Sequence, residues 1–141
     1  MNTILNPSQG DTKAGAIVLP ATADLTGLEN TLVKIANDGG VAKFAIPSNV
    51  LDMAIYILAS GDVAANDNVA EAPGTNENCR VKVSGAVVPG GLLCLDPNNW
   101  GQLYTPAGSS GATNVLFVAE EAAAANGLCK CRRIGPTPKT Y

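Results

Sequence analysis

The sequence predicts a mainly β protein: a small antiparallel β-barrel or sandwich with an extended N-terminal arm and little helix. Three observations predict it. Short apolar runs built from Val, Ile, Leu and Ala recur along the chain, each closed by Gly, Pro, Asn or Asp. The length, 141 residues, suits one domain. One segment competes as a helix, and its second half is β-branched and aromatic, which favours a strand.

Residues 1–15 are polar and carry Pro7, Gly10 and Gly15, so they read as an arm without a core of its own. Strand-like runs follow at Ala16–Leu19, Leu32–Ala36, Ala42–Ile46, Ala54–Ala59, Cys79–Val83, Leu92–Leu95, Gln102–Thr105, Val115–Ala119 and Leu128–Arg132. Asn37-Asp38-Gly39-Gly40, Ser60-Gly61-Asp62, Pro89-Gly90-Gly91, Asp96-Pro97-Asn98-Asn99 and Asn126-Gly127 separate them as turns. The helical competitor starts at Ser48, an N-cap residue, and runs to Leu58; its end, Ile55-Tyr56-Ile57-Leu58, is assigned to a strand. Residues 61–78 are polar and are expected as a surface loop. The organisation is therefore an arm at 1–15, a β-rich domain at 16–134 and a tail at 135–141, where Pro136 and Pro138 stand.

Composition narrows the chemistry. A chain of this size buries about 68% of its extended surface. Hydrophobic residues make up 46%, but much of that is Ala, with only two Phe, three Tyr and one Trp. So thin a core favours extra burial against a partner, and hence a closed cyclic homo-oligomer. The net charge of −3 gives no electrostatic footprint for nucleic acid. No run reaches the ~18 apolar residues of a membrane span. The first residues lack the basic-then-apolar pattern of a secretory signal, which points to synthesis in a cytoplasm. Histidine is absent, which removes Ser-His-Asp and Cys-His catalysis, His-ligated zinc and an imidazole switch.

Each remaining motif has a plainer reading beside the chemical one. Asp96-Pro97-Asn98-Asn99-Trp100-Gly101 starts like a calcium loop, but lacks an oxygen ligand at Trp100 and a Glu at Ala107, so it reads as a hairpin turn. Cys129 and Cys131 fall on one face of a strand, and with Cys79 and Cys94 could make a Cys₄ zinc site. No pair has knuckle spacing, so of the three readings, a zinc site, a redox pair and buried thiols, the cysteines are expected to be buried, structural and metal-free. Glu120 and Glu121 are adjacent and do not face each other, which suits a solvated connection rather than an acid–base pair. Gly108-Ser109-Ser110-Gly111 lacks the Lys of a phosphate loop and reads as a flexible hairpin tip. Trp100 and Tyr104 could form a sugar platform, but packing at a subunit boundary fits their composition better. No catalytic set, cofactor site or metal site emerges, so an enzyme is not expected.

One resemblance adds to this reading. "CRVKVSGAVVPGGLLCLDPNNWGQLYTPAG" (79–108) and "VLFVAEEAAAANGLCKCRR" (115–133) resemble the small proteins encoded beside the major capsid protein in tailed-phage gene clusters. The shared pattern is a basic–apolar strand (Arg80 to Val83), a turn (Gly85 to Gly91), an apolar strand (Leu92 to Leu95), a later strand running into Ala-Glu-Glu-Ala (Val115 to Ala122), and a terminal strand (Gly127 to Arg132). It spans about residues 54–134; the Cys-rich last strand and the long polar loop at 61–78 depart from it. The resemblance implies a bacteriophage capsid decoration, or cement, protein. Such a protein is a β-rich structural subunit, commonly a homotrimer, that is made in the host bacterial cytoplasm. It binds the outer surface of the virion and stabilises the capsid by bridging major capsid protein subunits. Another virion module, such as a tail or fibre base, or a small carbohydrate-binding domain, is the other expectation. The residues expected at a capsid or subunit interface are Ile4, Leu5, Trp100 and Tyr104.

Overall fold

The computed structural model describes residues 16–141. No helix occurs among them, and the strands are β1 (Ala16–Leu19), β2 (Leu32–Asp38), β3 (Val41–Ala45), β4 (Tyr56–Ser60), β5 (Asn68–Glu71), β6 (Asn78–Lys82), β7 (Leu92–Leu95), β8 (Leu103–Tyr104), β9 (Ala112–Ala119) and β10 (Leu128–Thr140). They form two five-stranded sheets, in the orders β1-β5-β4-β2-β3 and β6-β10-β9-β7-β8. Every pairing between these strands is antiparallel. The chain thus completes one sheet before it begins the other.

The first sheet curls until its edges meet. Just past β1, Pro20–Thr22 runs beside β3: the Phe44 N–H donates to the Pro20 carbonyl at 2.9 Å, and the Thr22 N–H to the Phe44 carbonyl at 2.9 Å. This closure pairs backbone groups that an open edge would leave exposed. Inside lie Leu25, Val33, Phe44, Leu58 and Ala70, with Ile17, Leu19 and Tyr56 packed around them. The second sheet lays its inner face on the outside of this small barrel. There Val81, Val83, Leu93, Leu95, Leu103, Phe117, Cys129 and Cys131 pack with Leu32 and Ala54 of the barrel half, and Ile57 packs against them.

Successive side chains on a strand point to opposite faces. Leu32 therefore enters the inter-sheet core while Val33 enters the barrel. Ile57 and Leu58 divide in the same way on β4. The expected barrel and the expected sandwich are both present, sharing β2 and β4 as a common wall.

The expected runs fall on β1–β4 and β6–β10, and Leu92–Leu95 coincides with β7. The 48–58 segment makes a turn and then a strand: the Asp52 carboxylate accepts the N–H groups of Ser48 (2.8 Å) and Asn49 (3.0 Å), closing a local turn. Lys34 pairs with the same carboxylate at 2.9 Å and ties that turn to β2.

Two segments differ from expectation. The polar stretch 61–78 contains β5, inserted between β1 and β4. Its first residue, Asn68, is fully buried: its Oδ1 accepts the Asp62 N–H at 2.6 Å, and its Nδ2 donates to the Asn66 carbonyl at 3.0 Å. A polar residue thus anchors the strand by satisfying a loop's backbone, which no apolar pattern reveals. The segment 135–141, expected as a tail, is largely the second half of β10, and Tyr141 exchanges backbone hydrogen bonds with Gly111 (2.9 and 3.2 Å). Pro136 falls in a register shift between Arg133 and Thr137, while Pro138 pairs with Asn114. Both lie beyond Arg132, the last residue of β10 paired with β6, so among the described residues this half of β10 pairs on one side only, with β9, and a missing N–H is tolerated. At the shift, a side chain on Gly135 would collide with the Val115 carbonyl, so glycine is required there.

The shared wall makes a quantitative expectation. Leu32→Ala should lower stability by about 2–5 kcal/mol, the range for emptying a fully buried leucine site. Val18→Ala, at a half-exposed edge position, should change it by no more than about 0.5 kcal/mol. Urea unfolding followed by far-UV circular dichroism measures both; equal losses would contradict the two-core arrangement.

Candidate functional site

The stretch LDPNNWGQLY forms the β7–β8 connection and is the main clasp between the two halves. Asp96, buried at its base, accepts hydrogen bonds from the Ser84 hydroxyl (2.5 Å), the Asn98 N–H (2.9 Å) and the Asn99 side-chain amide (3.0 Å). Burial pushes this carboxyl up, but the bonds from Ser84, Asn98 and Asn99 outweigh it and hold the carboxyl below its ordinary value of 3.8. An acceptor set already committed to three protein donors explains why the calcium-loop likeness ends as a turn. At Gly101, φ is +90°, and its carbonyl accepts the Leu32 N–H at 2.7 Å. A side chain there would press on Thr31 and the Leu32 carbonyl, so glycine permits the turn to dock on β2.

Trp100 packs partly buried against the inter-sheet core. Tyr104 lies opposite Cys94 on β7, one residue after the buried core residue Leu103, and so belongs to the other face of the second sheet. The two residues therefore do not form one aromatic platform. Ile4 and Leu5 lie outside the described residues.

Two ion pairs lie on the outer face of the second sheet. Arg80 contacts Glu121 at 2.9 Å, and Arg132 contacts Glu120 at 2.6 Å. The Arg80 guanidinium is the main cause that holds the Glu121 carboxyl below its usual range. The adjacent glutamates thus serve two separate ion pairs instead of converging.

The cysteines divide by face. Cys129 and Cys131 sit in the inter-sheet core, and Cys79 packs at its margin. Cys94 is buried on the opposite face, where burial pushes its thiol up. Among the described residues, no group of three or more His, Cys, Asp or Glu side chains converges in a metal-binding arrangement. The structure does bring Cys79 directly opposite Cys131, with the two sulfurs 3.9 Å apart. Sequence periodicity pairs Cys129 with Cys131 and has no access to this cross-strand partner, which depends on register. Cys79 also lines an inter-sheet cleft of about 410 Å³, together with Ile57, Glu71, Asn78 and Arg80.

Exposed apolar side chains are spread over several elements. They include Val18 on β1, Ile35 and Val41 on the β2–β3 hairpin, Leu51 and Met53 beside the Asp52 turn, and Val88, which is 67% exposed, ahead of β7. Of these, Ile35 lines an open depression of about 340 Å³ on the hairpin, with Asn37, Gly40 and Ala42.

The geometry defines an all-β module: a small closed sheet backed by a second sheet, clasped by a buried carboxylate turn. No protein-family model matches the chain, and no curated protein matches it. Its fold is shared with a solved structure, the head fiber gp8.5 N base of bacteriophage phi29. The TM-score is 0.67 at 12% sequence identity, over 89% of this chain and 98% of that one. The likeness therefore spans nearly all of both chains and is one of fold.

The clasp makes a pH-dependent expectation. Asp96→Ala strands three donors and should cost about 1.5–3 kcal/mol at pH 7, the range for hydrogen bonds to a charged group. Because the folded-state carboxyl is held below 3.8, its contribution is present above that value and fades as the pH falls through the folded pKa. The stability gap between wild type and variant should therefore narrow in acid. Chemical unfolding at pH 7 and near pH 2.5 measures it; a gap of equal size at both would contradict the role of the ionised carboxylate.

Proposed function

We propose that this chain is a structural protein of a tailed-phage virion, without enzymatic activity, that binds the outer surface of the capsid and stabilises the shell by bridging major capsid protein subunits. The observation that carries the proposal is the fold shared with a phage head-fibre base over nearly the full length of both chains. The resemblance of residues 54–134 to capsid decoration proteins supports it from the sequence side.

The physical design suits the role. Two cores with a shared wall give a stiff body, and the apolar residues left outside are dispersed, so attachment rests on many modest contacts. A closed homotrimer would turn such contacts into avidity, because once one subunit is seated the others bind at high effective concentration. Trp100 and Tyr104, on different faces, are candidates for different neighbours, one at a subunit boundary and one at the shell. The arm adds a second mode: Ile4 and Leu5 would anchor in a groove of a neighbouring subunit, or Thr3–Leu5 would extend an exposed sheet edge.

A second reading, the base of a fibre, is favoured by the same likeness, since the matched structure is itself a fibre's N base. Density extending outward from the seated module in electron cryomicroscopy of the particle would select it; a compact knob would select decoration.

Mixing the purified protein with undecorated shells tests the proposal. The full chain should co-sediment with shells at a saturable ratio and raise the temperature at which they rupture. Deleting residues 1–12 should leave folding and the oligomer intact, with lower occupancy and a smaller rise. Absence of co-sedimentation by the full chain would overturn capsid binding; full occupancy by the truncated chain would assign attachment to the β-domain alone.

A further inference from the structure

From the register of β6 and β10 we infer that Cys79 and Cys131 are a redox-active pair that closes into a cross-strand disulfide when the protein meets a low-molecular-weight disulfide. Cys79 and Cys131 are directly opposed partners in the antiparallel ladder, and their sulfurs lie 3.9 Å apart. The ladder's parity is set at both ends: the Val83 N–H donates to the Gly127 carbonyl, and the Arg133 N–H to the Glu77 carbonyl. Stepping in twos between those hydrogen-bonded pairs makes Cys79 and Cys131 another one. Such a pair has a Cα separation of about 5.5 Å. That falls inside the roughly 4.4–6.8 Å that a disulfide spans, so side-chain rotation can bring the sulfurs to bonding distance without moving the strands.

Access is unequal, and this sets the order of events. Cys79 is half-buried and lines the inter-sheet cleft, whereas Cys131, Cys129 and Cys94 are fully buried. The hydrogen bond from Cys131 holds the Cys79 thiol below its ordinary value, which favours the attacking thiolate. The same contact, with burial, pushes the Cys131 thiol up. Cys129 faces Val81, and Cys94 lies on the other side of the sheet, so neither opposes Cys79.

The chemistry balances with a disulfide RSSR as oxidant. The Cys79 thiolate attacks one sulfur of RSSR, forming the mixed disulfide and expelling RS⁻. With the Cys79 sulfur now bonded, Cys131 no longer shares a proton with a neighbouring thiolate. It deprotonates, attacks the Cys79 sulfur and expels the second RS⁻. The two thiol protons leave as two RSH, and two electrons pass from the cysteine pair to RSSR. The bridge would fasten β6, an edge strand of its sheet, to β10.

The full chain, reduced, desalted and left folded, is incubated with glutathione disulfide, then denatured and titrated for thiols. Its four cysteines should fall to two free thiols per chain, with no retained glutathione and no covalent dimer. Peptide mapping should join the β6 and β10 peptides. Cys131→Ser should stop at one glutathione adduct on Cys79, and Cys79→Ser should keep its three remaining thiols. Circular dichroism confirms that each variant is folded, with Cys131→Ala replacing Cys131→Ser if the hydroxyl is not tolerated. A folded wild-type chain that keeps four thiols, retains a stable glutathione adduct, or bridges through Cys94 or Cys129 would overturn the assignment.

Discussion

The structure depends on the two-sided burial of β2 and β4. Leu32 and Ile57 look outward into the inter-sheet core, while Val33 and Leu58 look inward to the barrel. A strand that is wet on one face tolerates a slip in register at the cost of one core; here a one-residue slip would exchange the contents of both. That constraint fixes where the second sheet can sit. It also explains how a chain with few aromatics obtains two dry cores: the same wall serves each, so little side-chain volume is needed to fill either.

Polar groups hold what the shared wall positions. Asp96 draws the β7–β8 turn together and reaches Ser84, just beyond β6, while the Gly101 carbonyl in that turn meets Leu32 on the barrel. Asp52 does the same for the opposite approach: it closes its own turn, pairs with Lys34 on β2, and its neighbours Val50 and Leu51 present carbonyls to Thr113 and Asn114 of β9. Each carboxylate is stabilised by several donors at once. These clasps therefore depend on ionisation, and the cohesion of the two halves is partly electrostatic although their contact is apolar.

The proposed virion role and the inferred thiol pair are compatible in one stiff module. In the proposed role, load carried through dispersed surface contacts would favour secured edge strands, and β6 is such an edge in the second sheet. In a reducing cytoplasm the cysteines would persist as thiols, and an oxidising exterior would favour the bridge.

The sequence alone determined the all-β class and most strands, because apolar runs and turn residues are local signals; the LLCL run of β7 was legible to the residue. It also determined that histidine chemistry is impossible here, since composition does not depend on fold. It did not reveal β5, whose opening residue is a buried Asn that stabilises a loop rather than an apolar residue that fills a core. Nor did it reveal the second half of β10, where two prolines suggested a tail and pairing on one side only, with β9 among the described residues, makes them acceptable in a strand. Tertiary structure alone decided that Trp100 and Tyr104 face different ways and that Cys131 meets Cys79. Which side chains share a strand's face follows from a period of two along one segment. Which residue stands opposite on the next strand follows from register, and register is set by the packing of distant residues into two cores at once.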